Sequence, residues 1–103
     1  RIDESLYFAN ARFLEDLVQN RVSERTDIKH VVLMFSAVNE VDYSALESLE
    51  AINFRLGEIE VGLHFSEVKG PVMDRLKRGH LLERLNGKVF MSQNDAFREL
   101  AYE

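Results

Sequence analysis

Residues 29–57 read KHVVLMFSAVNEVDYSALESLEAINFRLG, and this stretch decides the fold. It opens on the densest apolar run of the chain, Val31-Val32-Leu33-Met34-Phe35, and then breaks into the polar turn Asn39-Glu40-Val41-Asp42. A run this continuously apolar, extended here over Ile28 to Val38, predicts a central strand covered on both faces, as parallel sheets require. Beyond the turn, Ser44-Ala45-Leu46-Glu47 has the S-x-x-E form of a capping box. Leu49, Ile52 and Leu56 continue at the spacing of one helical face, with Gly57 as the stop. Buried strand, short loop and helix start follow one another, and at such a junction an α/β fold presents free backbone donors.

Working outward, the chain repeats the unit. Arg1 to Phe8 reads as a strand, and Asn10 stands where it can cap a helix over Ala11 to Val22 with Phe13, Leu14, Leu17, Val18 and Val22 as its apolar stripe. Glu60 to Val68 alternates, Val61, Leu63 and Phe65 pointing one way and Gly62, His64 and Ser66 the other. Pro71 suits the first turn of a helix that Gly79 interrupts. His80 to Leu85 forms a short helix, Lys88 to Met91 a last strand. Ser92 or Asn94 caps a final helix through Tyr102 whose buried face is Ala96, Phe97, Leu100 and Ala101. The order β-α-β-α-β-α-β-α predicts an α/β fold: a mostly parallel sheet of four or five strands in sequence order, with helices mainly on one face.

The 103 residues suit one domain, residues 1–103, with a globular composition of 46% hydrophobic and 30% charged residues. A formal charge of −5 argues against general nucleic-acid binding, which rests on neutralising phosphates. The chain has no cysteine, which excludes disulfides and thiol chemistry. No apolar run reaches the roughly 20 residues that span a bilayer. Because the chain opens inside a strand, an excised fragment is expected.

Catalytic motifs are absent. His30, His64 and His80 have no metal-ligand spacing, no glycine-rich phosphate loop occurs, and none of the serines sits in a G-x-S-x-G elbow. Two candidate surfaces remain. The loop residues Asn39, Asp42, Tyr43 and Ser44 precede a helix whose free amides favour an anion or nucleotide, although Glu40, Asp42, Glu47 and Glu50 oppose one; the plain alternative is a helix cap and nothing more. Between Lys69 and Lys88, six bases (Lys69, Arg75, Lys77, Arg78, Arg84, Lys88) stand against Asp74 and Glu83, a local excess of four positive charges. Such a patch is either a docking surface for an acidic partner or anionic lipid, or a solvated helix face.

RIDESLYFANARFLED, VVLMFSAVNEVDYSALESLE and VMDRLKRGHLLERLNGKVFMSQNDAFREL together resemble the STAS domain at the cytoplasmic carboxyl-terminal end of sulfate permease (SulP) anion transporters. The specific marks are Phe8-Ala9-Asn10-Ala11, the turn Asp42-Tyr43-Ser44, and Leu76-Lys77 through Leu81-Leu82 ahead of a strand and the Asp95-Ala96 helix. The resemblance implies a non-catalytic regulatory and interaction module of a bacterial anion carrier at the inner (plasma) membrane, joined to the carrier's membrane-spanning portion. It also implies that the family's usual first strand is missing upstream of Arg1. No cofactor is implied beyond weak nucleotide binding, and a protein partner or homo-oligomer is compatible. STAS domains are also similar to anti-sigma-factor antagonists, whose serine or threonine directly after the loop aspartate is phosphorylated; Tyr43 occupies that position here. A free-standing antagonist controlled by phosphorylation and a small nucleotide-binding or phosphotransfer protein are the competing readings.

Overall fold

The computed structural model describes residues 3–101. Four strands, β1 (Asp3–Tyr7), β2 (His30–Met34), β3 (Gly62–Ser66) and β4 (Val89–Phe90), form one sheet in the order β1-β2-β3-β4, every pair parallel. Between and after them come α1 (Leu14–Glu24), α2 (Tyr43–Glu58), α3 (Gly70–Arg78), α4 (Leu81–Arg84) and α5 (Gln93–Leu100). The α/β class, the parallel sheet and the sequential order are those that the hydrophobic pattern predicts. The expected strand start at Arg1 and Ile2 and the helix end at Tyr102 lie outside the described residues.

Alternation along the strands divides the core in two. Leu6, Val31, Leu33, Leu63 and Phe65 point to the side covered by α1, α2 and α3, where Leu14, Val18, Leu49, Ile52 and Leu76 meet them. Val32 points the other way and joins Phe90, Ala96 and Leu100 in a small cluster under α5. β2 is therefore apolar from Val31 to Met34 because both of its faces are covered there. Helices lie mainly on one face, and α5 alone lies on the other.

That second face, small and polar in sequence, is sewn to α5 by hydrogen bonds. The Ser66 hydroxyl donates to Gln93 Oε1 (2.8 Å), Gln93 Nε2 donates to Ser5 Oγ (2.6 Å), and the Gln93 amide donates to Glu67 Oε2 (2.7 Å). Ser92 caps α5 as expected, its Oγ accepting from the Asp95 amide at 3.1 Å.

Several local expectations need correction. α1 begins at Leu14, so Asn10 is not its cap; its Oδ1 instead accepts from the Arg12 amide (3.0 Å) in the turn after β1. Phe13 then falls outside helical geometry, at φ −119° and ψ 19°, and is 68% exposed rather than part of the buried stripe. Phe97 is 61% exposed, because α5 buries only the narrow stripe of Ala96 and Leu100. Gly57 does not end α2, which continues to Glu58.

Candidate functional site

The loop between β2 and α2 leaves the carboxyl edge of the sheet and is fastened at several points. Phe35 is fully buried, its amide donating to the Ser66 carbonyl (2.9 Å) and its ring set edge-on against Phe8 with centroids 5.0 Å apart. A tight turn follows, the Val38 amide donating to the Phe35 carbonyl at 2.9 Å. Val38 and Val41 are buried, and between these two apolar anchors Asn39 and Glu40 are held out in solvent. The periodicity of the sequence is locally that of a plug, two valines in and two polar residues out.

Lys69 closes the loop from the side. Its ammonium donates to the carbonyl oxygens of Ser36 (2.8 Å) and Val38 (3.3 Å) and to Asn39 Oδ1 (2.8 Å). A cation here satisfies main-chain acceptors that turn away from the sheet ladder. Lys69, exposed at the surface, is thus engaged by the loop's own acceptors.

The helix start is set by Asp42, not Ser44. Asp42 has extended backbone angles and its Oδ1 accepts from the Ala45 amide at 2.8 Å, while α2 begins at Tyr43. A carboxylate at the N-cap both accepts the orphan amide and meets the positive end of the helix dipole. The S-x-x-E pattern is displaced by two residues from the cap. Tyr43 and Ser44 are left exposed on the first turn.

An open cleft of about 770 Å³ lies over this junction, lined among others by Asn10, Arg12, Ala37, Asn39, Asp42, Ser44 and Ser48. Asn39, Asp42 and Ser44 thus meet around one space, together with Asn10 and Arg12 from the β1–α1 turn. Tyr43 instead lines a notch on the far flank of the helix start, beside Glu47 and Arg75. Chemically the cleft offers amide and hydroxyl hydrogen-bonding groups, one guanidinium and the carboxylates of Glu40 and Asp42. Arg12 also stacks on Phe13, 5.3 Å from the ring centre. No group of three or more His, Asp or Glu side chains that could hold a metal ion occurs among the described residues.

Two members of the basic stretch have acidic partners. Arg84 pairs with Glu50 (2.9 Å) and Lys88 pairs with Glu99, so only Arg75, Lys77 and Arg78 of its members remain outside ion pairs and internal bonds among the described residues. At the opposite end of the strands from the cleft, a two-point hydrogen bond from Arg25 holds the Asp27 carboxyl well below the usual carboxylate range.

One constellation escapes sequence reading. His30 Nδ1 and His64 Nε2 are 3.0 Å apart on the α5 side of the sheet. The Lys88 amide donates to His64 Nδ1 (3.0 Å), which leaves the proton on Nε2 for donation to His30. The signal was present: His30 lies opposite Gly62, so His64 stands one pleat further along the same face, and a Cβ at Gly62 would sit 3.0 Å from its Nε2. Register is what the sequence does not print.

The sheet in sequence order, the helices mainly on one face and the fastened loop at its carboxyl edge define a parallel α/β domain. The STAS domain family matches residues 1–96, and the chain belongs to that family. Among curated proteins it is similar to the probable sulfate transporter 3.4 of Arabidopsis thaliana, at 27% identity over 97% of this chain and 17% of the transporter. Similarity to sulfate transporter 3.2 of the same plant is 30% over 82% of this chain and 14% of that protein. The chain thus spans about one-sixth of the length of these relatives. Two solved structures share the fold: a sulfate transporter family protein from Wolinella succinogenes (TM-score 0.78, 19% identity, 97% of this chain and 83% of that one) and murine Solute Carrier 26 family member A9 anion transporter in the inward-facing state (TM-score 0.77, 22% identity, 95% of this chain and 16% of that one).

Proposed function

We propose that residues 1–103 form the regulatory and interaction STAS domain of a bacterial sulfate-type anion transporter, lying at the cytoplasmic face of the inner membrane and docking against the transporter's membrane-spanning portion. The observation that carries this reading is the alignment of nearly the whole chain with a small fraction of proteins named as sulfate transporters. No described helix is long and apolar enough to cross a membrane.

The domain itself does no chemistry in this reading. It works through the loop at Asn39, Asp42, Tyr43 and Ser44, whose backbone is held by Lys69 while its side chains face outward. Weak nucleotide binding in the cleft is compatible with its polar lining but faces the carboxylates of Glu40 and Asp42, which repel phosphate.

Reconstituting the full-length protein in vesicles and measuring sulfate uptake tests the reading. Tyr43→Glu leaves a solvent-exposed position solvent-exposed, so the domain should stay folded while uptake changes severalfold. A full-length protein without membrane spans, or uptake indifferent to removal of the whole domain, would refute it.

A further inference from the structure

The histidine pair on the α5 side of the sheet is a closed set of hydrogen bonds. The main chain at Gly87 lies directly against the His64 ring: a Cβ there would collide with Nδ1, and the next amide, that of Lys88, donates to the same nitrogen at 3.0 Å. His64 is 4% exposed, with the Phe90 ring of β4 beside it at a centroid distance of 5.7 Å. Its Nε2 carries the proton of the neutral ring and faces His30 Nδ1 at 3.0 Å, which leaves the proton of His30 on the outer nitrogen. Each of the two inner contacts thus holds one proton between two nitrogens.

A further proton breaks this set wherever it lands. On His30 Nδ1 it points at the proton of His64 Nε2, and on His64 Nδ1 it points at the amide proton of Lys88. The two places are coupled through the His64 ring. If His30 takes the proton, His64 regains that bond only by moving its own proton from Nε2 to Nδ1, and the clash then passes to Lys88. A charge acquired on β2 is in this way delivered to the residue that opens β4.

The neighbouring charges favour that direction. Asp3 on β1 lies opposite His30 in register and, by alternation, on the face of Ser5, where its carboxylate draws a proton toward His30. On the other flank Lys88 pairs with Glu99 of α5, and Asp95 of the same helix pairs with Arg98. Glu67, past the far end of β3, accepts from the Gln93 amide. The segment that receives the clash is lightly built, because β4 is two residues long and lies at the edge of the sheet. Phe90 packs in one cluster with Ala96 and Leu100, so loosening β4 loosens α5.

We propose that His30 and His64 form an acid-sensitive clasp on residues 88–100. Neutral, the pair holds β4 and α5 to the sheet; protonated, it lets them loosen while α1, α2 and the apolar face stay in place. An imidazole in water takes its proton near about pH 6.5, so the clasp is whole above that range and is lost as the pH falls through it. The inference is independent of the transporter reading, because it is measured on the 103-residue chain alone; a chain indifferent to acid would overturn the clasp and leave that reading standing.

Amide exchange, expressed as protection relative to α2, should fall for residues 88–100 by about tenfold or more between about pH 7.5 and about pH 5. Ring nitrogen shifts of His64 over the same range should pass from a bare to a protonated Nδ1. His30→Asn keeps an acceptor oxygen close to the place of Nδ1 and takes no proton, so residues 88–100 should stay protected at about pH 5. His80→Asn, at an exposed site between α3 and α4, should leave the acid response as it is. Protection of residues 88–100 unchanged by acid, a loss shared equally by α2, a His64 Nδ1 that stays bare throughout, or an acid response intact in folded His30→Asn would each overturn the proposal.

Discussion

Removing the Asp42 carboxylate deprives the Ala45 amide of its acceptor and the first turn of α2 of a favourable charge. Asp42→Ala should therefore lower stability by about 0.5–2 kcal/mol, read from urea unfolding. Ser44→Ala should lie within about 0.5 kcal/mol of the parent, since Ser44 is exposed and caps nothing. Equal losses in the two variants would contradict the cap assignment. The contrast matters for function, because an uptake defect in Asp42→Ala must first be corrected for unfolding, whereas one in Ser44→Ala reports the surface directly. At this scale the sequence is least legible. S-x-x-E and D-x-x-A are both competent starts; in the fold Asp42 takes the cap, directly after the buried Val41.

Among the elements, α5 stands apart. Its apolar contribution is Ala96 and Leu100 against Val32 and Phe90, while the face that α1, α2 and α3 cover carries most of the core. Much of its attachment passes through Gln93, bonded to Ser5, Ser66 and Glu67. Amides of α5 should exchange with solvent well before those of α2, and Gln93→Ala should speed exchange in α5 while leaving α2 unchanged. Equal protection of the two helices would show that α5 opens only with the whole domain. The sequence announces a polar sheet face through Gly62, His64 and Ser66 but not its cover, because Gln93 is 27 residues from Ser66 and 88 from Ser5. Periodicity is a local signal, and this seam is non-local. The same limit explains Phe97, whose place on the wheel beside Ala96 says nothing of how narrow a stripe the sheet will cover.

For the molecule as a whole, stability is concentrated where α2 meets the sheet. Ile52→Ala should cost about 2–5 kcal/mol, while Leu17→Ala, at a half-buried site, should cost about 1–2 kcal/mol. Thermal unfolding of the two variants checks the order, and reversal of it would mean that α1 carries more of the core than its burial indicates. The architecture itself was legible because four apolar runs alternate with helical stripes, and the five apolar residues in succession from Val31 to Phe35 proclaim two covered faces at β2. What remained unread was everything set by register and by long side chains crossing between elements. Lys69 is the clearest instance, and its geometry has a corollary for how such a domain diversifies. Two of its three acceptors are peptide oxygens, which every amino acid supplies. The bend ahead of α2 can therefore keep its course when residues such as Glu40 are exchanged, because the lysine grips the main chain there and not their side chains.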